Sequence, residues 1–367
     1  AIGTNAMSDL TAGAWGNIAI GENSLRKINH ADSAGSVAVG YNALASNVSG
    51  IGNVAIGFSA LDAEDDGDYN TAIGYEALTD QTGTSGTVGN TAVGYKAGAE
   101  ITTGVFNTAL GAFALGGSGD SALTENSNTA IGYLAGAELE GAGANNTIVG
   151  AGAGSTLTTG QQNTIIGHNA GDAATTTTHM TLVGRTAGSA INSTDALGST
   201  MIGSAAGALV TSAQRITAVG YQALGTEDDG DFHTAVGYQA LSQCNAPNGH
   251  NVALGQRAGY NIVAGYSNTL IGSAADASGA SGVNQVVIGQ GATGQADNSV
   301  TLGNASVTAV YAAQDGQATV YAGSVSGSGH LRMAGAITGS VVKATSGKFE
   351  GPYYCQKSDA YAITNTN

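Results

Sequence analysis

Cysteine and proline are nearly absent from this 367-residue chain, at two residues each. Cys244 and Cys355 are too few for a disulfide framework and read as two isolated thiols. Glycine is abundant at 59 residues, yet there is no Gly-X-Y period and almost no proline, which excludes collagen. Aromatic residues make up 5% and charged residues 10%, less of both than a globular core of this size carries. A thin body with small side chains inside needs neither. Basic residues are scarcest in relative terms: 10 stand against 26 acidic ones, for a net charge of −16. Phosphate backbones and anionic membranes are repelled by such a surface, so neither nucleic acid nor membrane insertion is expected. No apolar run is long enough for a transmembrane helix. The chain begins inside a repeat, at Ala1-Ile2-Gly3, so it is expected to be a fragment or a processed piece.

What is present is a repeat about every 17 residues. The unit of Asn70-Thr-Ala-Ile-Gly-Tyr-Glu-Ala-Leu78 returns as Asn90-Thr-Ala-Val-Gly-Tyr-Lys-Ala-Gly98, and related units run from Gly3 to Gly303. A fixed period of this size predicts a solenoid, in which each repeat is one coil and stacked coils make the core. With the first glycine of each unit as position 0, position −1 is Ile, Val or Leu throughout. Position +3 is Ala from Gly40 to Gly289, and position +4 is mostly Leu or Gly. Positions −4 to −1 read as one short strand and +1 to +4 as a second, bent away at the glycine. Asn at −4, as at Asn70, Asn107, Asn128, Asn163 and Asn268, suits a stacked hydrogen-bonded ladder.

Neighbouring strand positions face opposite ways, and both −1 and −2 are apolar. That is the signature of a strand covered on both faces. A single roll buries only one, so the other is expected to pack on further copies of the chain. The residues assigned to this packing are Ile56, Ile73, Val93, Ile131, Ile166, Val219 and Val236 at −1, with Tyr41, Tyr75, Tyr95, Tyr133, Tyr221 and Tyr238 at +1. Units with Ala at −2 mostly carry an aromatic at +1, whereas those with Ile, Leu, Met or Val at −2 do not. Either −2 and +1 share volume in a packed interface, or two repeat subtypes were duplicated in blocks.

The Asn-Thr-Ala-Ile-Gly unit with its following Ala resembles the head repeat of trimeric autotransporter adhesins, Asn-Ser-Val-Ala-Ile-Gly. The Gly-Tyr-x-Ala-Leu form resembles more closely the repeats of bacteriophage tail fibres. So do Thr301-Leu-Gly-Asn-Ala-Ser-Val-Thr-Ala-Val-Tyr311 and Ala318-Thr-Val-Tyr-Ala-Gly323. The resemblance implies a homotrimer of parallel β-rolls and, in tail fibres, a self-cleaving chaperone beyond this region. Tyr at +1 and the longer coil depart from the adhesin pattern, and no membrane-anchor barrel follows. Past Gly303 the period stops. Residues 304–329 read as a β-hairpin around Asp315-Gly316 and a small-residue linker, and 330–367 as a β-rich tip or junction.

Candidate chemistry is sparse. Glu64-Asp-Asp-Gly-Asp-Tyr69 recurs as Glu227-Asp-Asp-Gly-Asp-Phe232. Asp65, Asp66 and Asp68, and again Asp228, Asp229 and Asp231, are candidate Ca²⁺ ligands on a glycine turn, against the alternative of a solvated acidic turn copied with its repeat. Gly289-Gln-Gly-Ala-Thr-Gly294 fits a dinucleotide pattern but falls on the repeat grid and opens no helix. The histidines show no ligand spacing and no nearby Cys or Glu partner, so they are expected at the surface. No nucleophile elbow or paired-carboxylate site is recognisable, and no enzyme or cofactor is expected.

The sequence thus predicts an all-β, parallel β-solenoid over 1–303 that assembles as a homotrimer and serves as a structural, adhesive fibre. The leading reading is a virion tail fibre that contacts a glycan or protein receptor on a host cell. The alternative is a bacterial surface adhesin head or a self-assembling extracellular fibre, and a polysaccharide depolymerase stands third. Extra residues enter at Thr79–Gly89, Gly116–Ser127 and Ser189–Gly198, between +5 and the next −4. Such edge loops are candidates for recognition, as is an end of the fibre.

Overall fold

The computed structural model describes residues 1–310, apart from 11–13, 31–32, 83–84, 117–121 and 194–196. The expected hairpin and tip, with Cys355, therefore lie almost wholly outside the described residues, as do parts of the three longer loops. Residues 1–308 form one compact unit, a parallel β-solenoid of coils about 17 residues long. Seventeen three-residue strands, from Ile18–Ile20 to Val300–Leu302, stack in one parallel sheet. Register is in phase from coil to coil: Thr71, Ala72 and Ile73 lie beside Val54, Ala55 and Ile56 on one side and Thr91, Ala92 and Val93 on the other. A second, two-stranded pairing joins Gly67–Asp68 to Gly86–Thr87. No helix forms among the described residues.

The strand is shorter than expected, and the second strand does not form. Positions −3 to −1 are extended, whereas +1 to +4 is a run of turns. Its backbone alternates into the left-handed region at +2 and often at +4, as at Asn42 (φ 53°) and Leu44 (φ 54°). A strand cannot contain that alternation. The coil instead curls so that the N–H at +2 still reaches the carbonyl at +1 of the coil before, as Glu76 N–H does to Phe58. Stacking replaces strand geometry as the source of order.

At position 0 two coils touch backbone to backbone. Gly74 has φ +141°, and a Cβ built there would lie 2.2 Å from the carbonyl oxygen of Gly94. Only glycine fits, for reasons of both conformation and space. The N–H of Gly74 meanwhile donates to the Ile56 carbonyl at 2.8 Å.

The interior is filled by −2, +3, +4 and +7. Ala72, Ala77 and Leu78 of one coil are fully buried, as are Ala92, Ala97 and Ile101 of the next. The aromatics at +1 are outside. Tyr75 is 43% exposed, on the far side of the wall from Ala72. Of the two readings of −2 and +1, a shared volume between them therefore does not hold within the coil. The exchange of volume is internal. Where +4 is Leu, −2 is Ala and +7 is frequently polar, as with Ala55, Leu61 and Glu64. Where +4 is Gly, a large −2 or an aliphatic +7 fills the gap, as with Ile148, Gly154 and Leu157. A Cβ on Gly154 would meet the Ile148 and Ile165 side chains within 3.3–3.7 Å, so that space is already taken. The +1 aromatics go with Ala at −2 whether +4 is Leu, as with Tyr75 and Leu78, or Gly, as with Tyr95 and Gly98.

The expected ladder at −4 forms along the inner edge. The N–H of Asn70 donates to Asn53 Oδ1 at 2.8 Å, that of Asn90 to Asn70 Oδ1 at 2.9 Å, and that of Asn107 to Asn90 Oδ1 at 2.8 Å. The amide NH₂ of most rungs reaches a loop carbonyl, such as Asn90 Nδ2 to Gly104 O at 2.7 Å. Each rung thus satisfies a buried backbone donor and ties the sheet to the opposite loop.

Replacing Gly74 by Ala should cost at least the ~1–3 kcal/mol of a disallowed backbone conformation, before the clash with Gly94 is added. Denaturant titration of that variant beside an Ala72→Gly control checks this; equal stability of the Gly74→Ala variant and the parent would contradict the packing described.

Candidate functional site

Both acidic inserts adopt one structure, and its centre is the glutamate rather than the aspartates. Glu64 and Glu227 occupy +7 of their coils and point into the core, fully buried. Glu64 Oε1 accepts the N–H groups of Gly67 at 2.7 Å and Asp66 at 3.2 Å. Glu227 Oε1 likewise accepts those of Gly230 at 2.8 Å and Asp228 at 3.2 Å. The last aspartate of each insert caps the preceding coil: Asp68 Oδ1 accepts Ile51 N–H at 2.8 Å, and Asp231 Oδ1 accepts Gln214 N–H at 2.7 Å. Asp68 and Asp231 are thus engaged in turn structure. Asp65, Asp228 and Asp229 are exposed and Asp66 is half-buried. Of the Ca²⁺ candidates only Asp65 and Asp66 converge, together with Glu64. Partial burial, then the charges of Asp65 and Asp68, push the Asp66 carboxyl up.

The two copies differ beside the glutamate. The next coil of the first copy offers Asn70 at −4 and Gln81 at +7; the second offers His233 and Cys244 at the same positions. In the first copy Glu64 Oε2 and Asn70 Nδ2 are buried without partners. Desolvation by burial raises Glu64 to about 7, against which the Gly67 and Asp66 N–H bonds are insufficient. In the second copy burial also opposes ionisation of Glu227. His233 and the N–H groups of Gly230 and Ala246 outweigh it and hold the carboxyl below its ordinary value. His233 Nε2 lies 3.1 Å from Glu227 Oε2, both side chains fully buried.

The expectation that every histidine is a surface residue without a Cys or Glu neighbour fails here. His30, His168, His179 and His250 are exposed, but His233 takes an Asn place in the ladder. Its Nδ1 accepts the N–H of Asn251 at 3.4 Å. The repeat register carried the signal: −4 is an inward position, so a histidine there is buried whatever its polarity. Cys244 is a free thiol, pushed up by burial and then by the Glu227 charge.

The residues assigned to packing between copies lie on the outer wall. Ile56, Ile73 and Ile166 are about two-fifths exposed, and Val93, Ile131, Val219 and Val236 are half-buried. The +1 aromatics stack along the coils: Tyr41 on Phe58, Phe58 on Tyr75 and Tyr75 on Tyr95, at centroid distances of 5.2, 5.0 and 5.4 Å. Where +1 is Ala112, Phe113 from +2 continues the column, 5.1 Å from Tyr95 and 6.4 Å from Tyr133. Tyr221 and Tyr238 repeat the arrangement. Of the supposed dinucleotide glycines, Gly289 and Gly291 lie in the bend and turn after the strand Val286–Ile288, and Gly294 follows the bridge of Thr293 to Asp276.

No protein-family model matches the chain, and none of the curated proteins is significantly similar to it.

Because Glu64 binds its proton more tightly in the folded chain than in the unfolded one, its contribution is complete below about pH 4.5 and lost as pH rises through 7. Relative to a Glu64→Gln variant, the parent should lose about 3 kcal/mol between those limits. Paired urea titrations across that range check it, with parallel pH profiles as the contrary result.

Proposed function

We propose that this chain is a structural and adhesive fibre subunit, three copies of which pack their outer walls together, and that it belongs to a bacteriophage tail fibre contacting a host surface. The observation that carries the reading is the outer wall. At position −1 an aliphatic column runs the length of the roll, and the stacked aromatic column lies beside it across the glycine corner. Soluble monomers rarely leave so long a contiguous apolar strip in water. Packing against further copies removes it, and parallel chains in the same register place equivalent coils at equal heights. The resemblance of the repeat to tail-fibre sequences supports three copies and the phage setting. The strongly acidic surface, at −16, fits a soluble particle. In this reading the rod holds and spaces its receptor contacts and performs no catalysis.

Two adjacent residues separate the wall from the core. Ala72→Asp places a charge in the sealed interior and should prevent folding. Ile73, 37% exposed in the single chain, should tolerate Asp within the coil but not within a trimer. Sedimentation of the parent should give three chains and that of Ile73→Asp a smaller, still β-rich species. A folded monomeric parent removes the assembly reading.

Adhesion is tested separately. Labelled fibre applied to a panel of bacterial cells should decorate at least one strain, and decoration of none defeats the adhesive role. Shortening the three longer loops to the 17-residue unit should leave assembly intact; undiminished decoration would place recognition at an end of the fibre.

A further inference from the structure

The structure assigns to Glu227, His233 and Cys244 a buried binding site for one divalent transition-metal ion of the Zn²⁺ class. Three observations converge on it. A carboxylate oxygen, an imidazole nitrogen and a thiol sulfur lie within 4.8 Å of one another, and all three side chains are fully buried. Oxygen, nitrogen and sulfur together are the donor set of a borderline-soft ion, and Zn²⁺ bonds of about 2.0–2.3 Å bring such atoms to within roughly 3–4 Å of each other. Secondly, His233 Nε2 is a buried polar atom that makes no well-formed hydrogen bond, although it approaches Glu227 Oε2 to 3.1 Å. A buried ring nitrogen so placed beside a carboxylate and a thiol is what a ligand set presents.

The third observation is the internal control. The same pocket around Glu64 carries Asn70 and Gln81 in place of His233 and Cys244. Gln81 Oε1 accepts the Asn90 amide NH₂ at 2.6 Å, and its own NH₂ reaches the Thr102 carbonyl at 2.9 Å. In the second copy the corresponding amide, Asn251 Nδ2, keeps its loop carbonyl, Gly265 O at 2.8 Å, but meets Cys244 Sγ at 3.7 Å where Asn90 meets the glutamine oxygen. The fold therefore accepts amides at these positions. The second copy differs from it at both, and at both by a metal-ligating residue type.

Charge also closes. Glu227 and a Cys244 thiolate carry two negative charges, which a divalent ion neutralises, so the loaded site buries no net charge. Loading releases the thiol proton to solvent and moves the ring hydrogen of His233 from Nε2 to Nδ1. That move forfeits the Asn251 N–H contact of 3.4 Å, the longest rung among the described residues of the ladder. The bound ion would join +7 of one coil to −4 and +7 of the next, a cross-link between stacked coils. Since all three ligands are sealed inside, it enters as the coils close and leaves slowly afterwards.

The test uses the full chain, produced in medium supplemented with Zn²⁺ or Co²⁺ and then washed with chelator. Elemental analysis should find one ion per chain, and the cobalt form should show a thiolate-to-cobalt charge-transfer band. Cys355→Ser should retain both signals. The double variant His233→Asn, Cys244→Gln copies the Glu64 pocket and should fold while retaining roughly tenfold less metal. Should that variant misfold, the comparison of the parent with Cys355→Ser still decides. A folded parent with no retained ion, or with a cobalt band that disappears in Cys355→Ser, overturns the assignment.

Discussion

The contact between backbones at position 0 governs the rest of the molecule. Each anchor glycine lies so close to the next that a single added carbon would overlap it. This fixes where each coil sits on its neighbour, and with it the register of the strands, the reach of the asparagine ladder and the spacing of the outer aromatic column. Hydrophobic burial supplies the driving force, but much of the interior is alanine, whose methyl groups alone specify little. Specificity comes from polar and steric constraints that repeat once per coil.

Within that frame the interior is filled by a compensation rule. Leucine at +4 goes with alanine at −2, and glycine at +4 yields its space to a larger chain at −2, at +7 or in an adjacent coil. The rule bears on the buried polar groups at +7. Where leucine at +4 fills the centre, +7 need not be aliphatic, and Asn47, Gln81 and the two glutamates there meet backbone donors and acceptors. A carboxylate in this place is tolerable only because the Gly67 or Gly230 turn is wrapped around it. Burial pushes both carboxyls up, and only Glu227 has an imidazole, that of His233, to hold it below its ordinary value.

Much of this was legible in the sequence because a solenoid writes its fold once per coil. The invariant aliphatic at −1, the glycine at 0 and the asparagine at −4 identified the stacked sheet and its ladder. The second strand is not legible as a turn because left-handed residues such as Asn42 and Leu44 leave no trace in composition. The two readings of −2 with +1 could not be separated from the chain, because co-occurrence does not distinguish contact from a shared repeat type; Ala72 and Tyr75 lie on opposite sides of the wall. The Glu227 cluster was missed since its members are 6 and 11 residues apart, spacings that belong to no familiar ligand pattern. Only the coil register superimposes them.

The compensation rule makes coils unequal, although their backbones are nearly interchangeable. A coil with glycine at +4 depends on bulk supplied from beside it: Gly98 lies under the Leu78 side chain of the preceding coil and Gly136 under Leu115 and Ile148. Excision of one coil can therefore leave a hole or a collision although every strand still finds a partner in register. A change in the number of coils is thereby tolerated where whole blocks of compatible neighbours are exchanged, and not coil by coil.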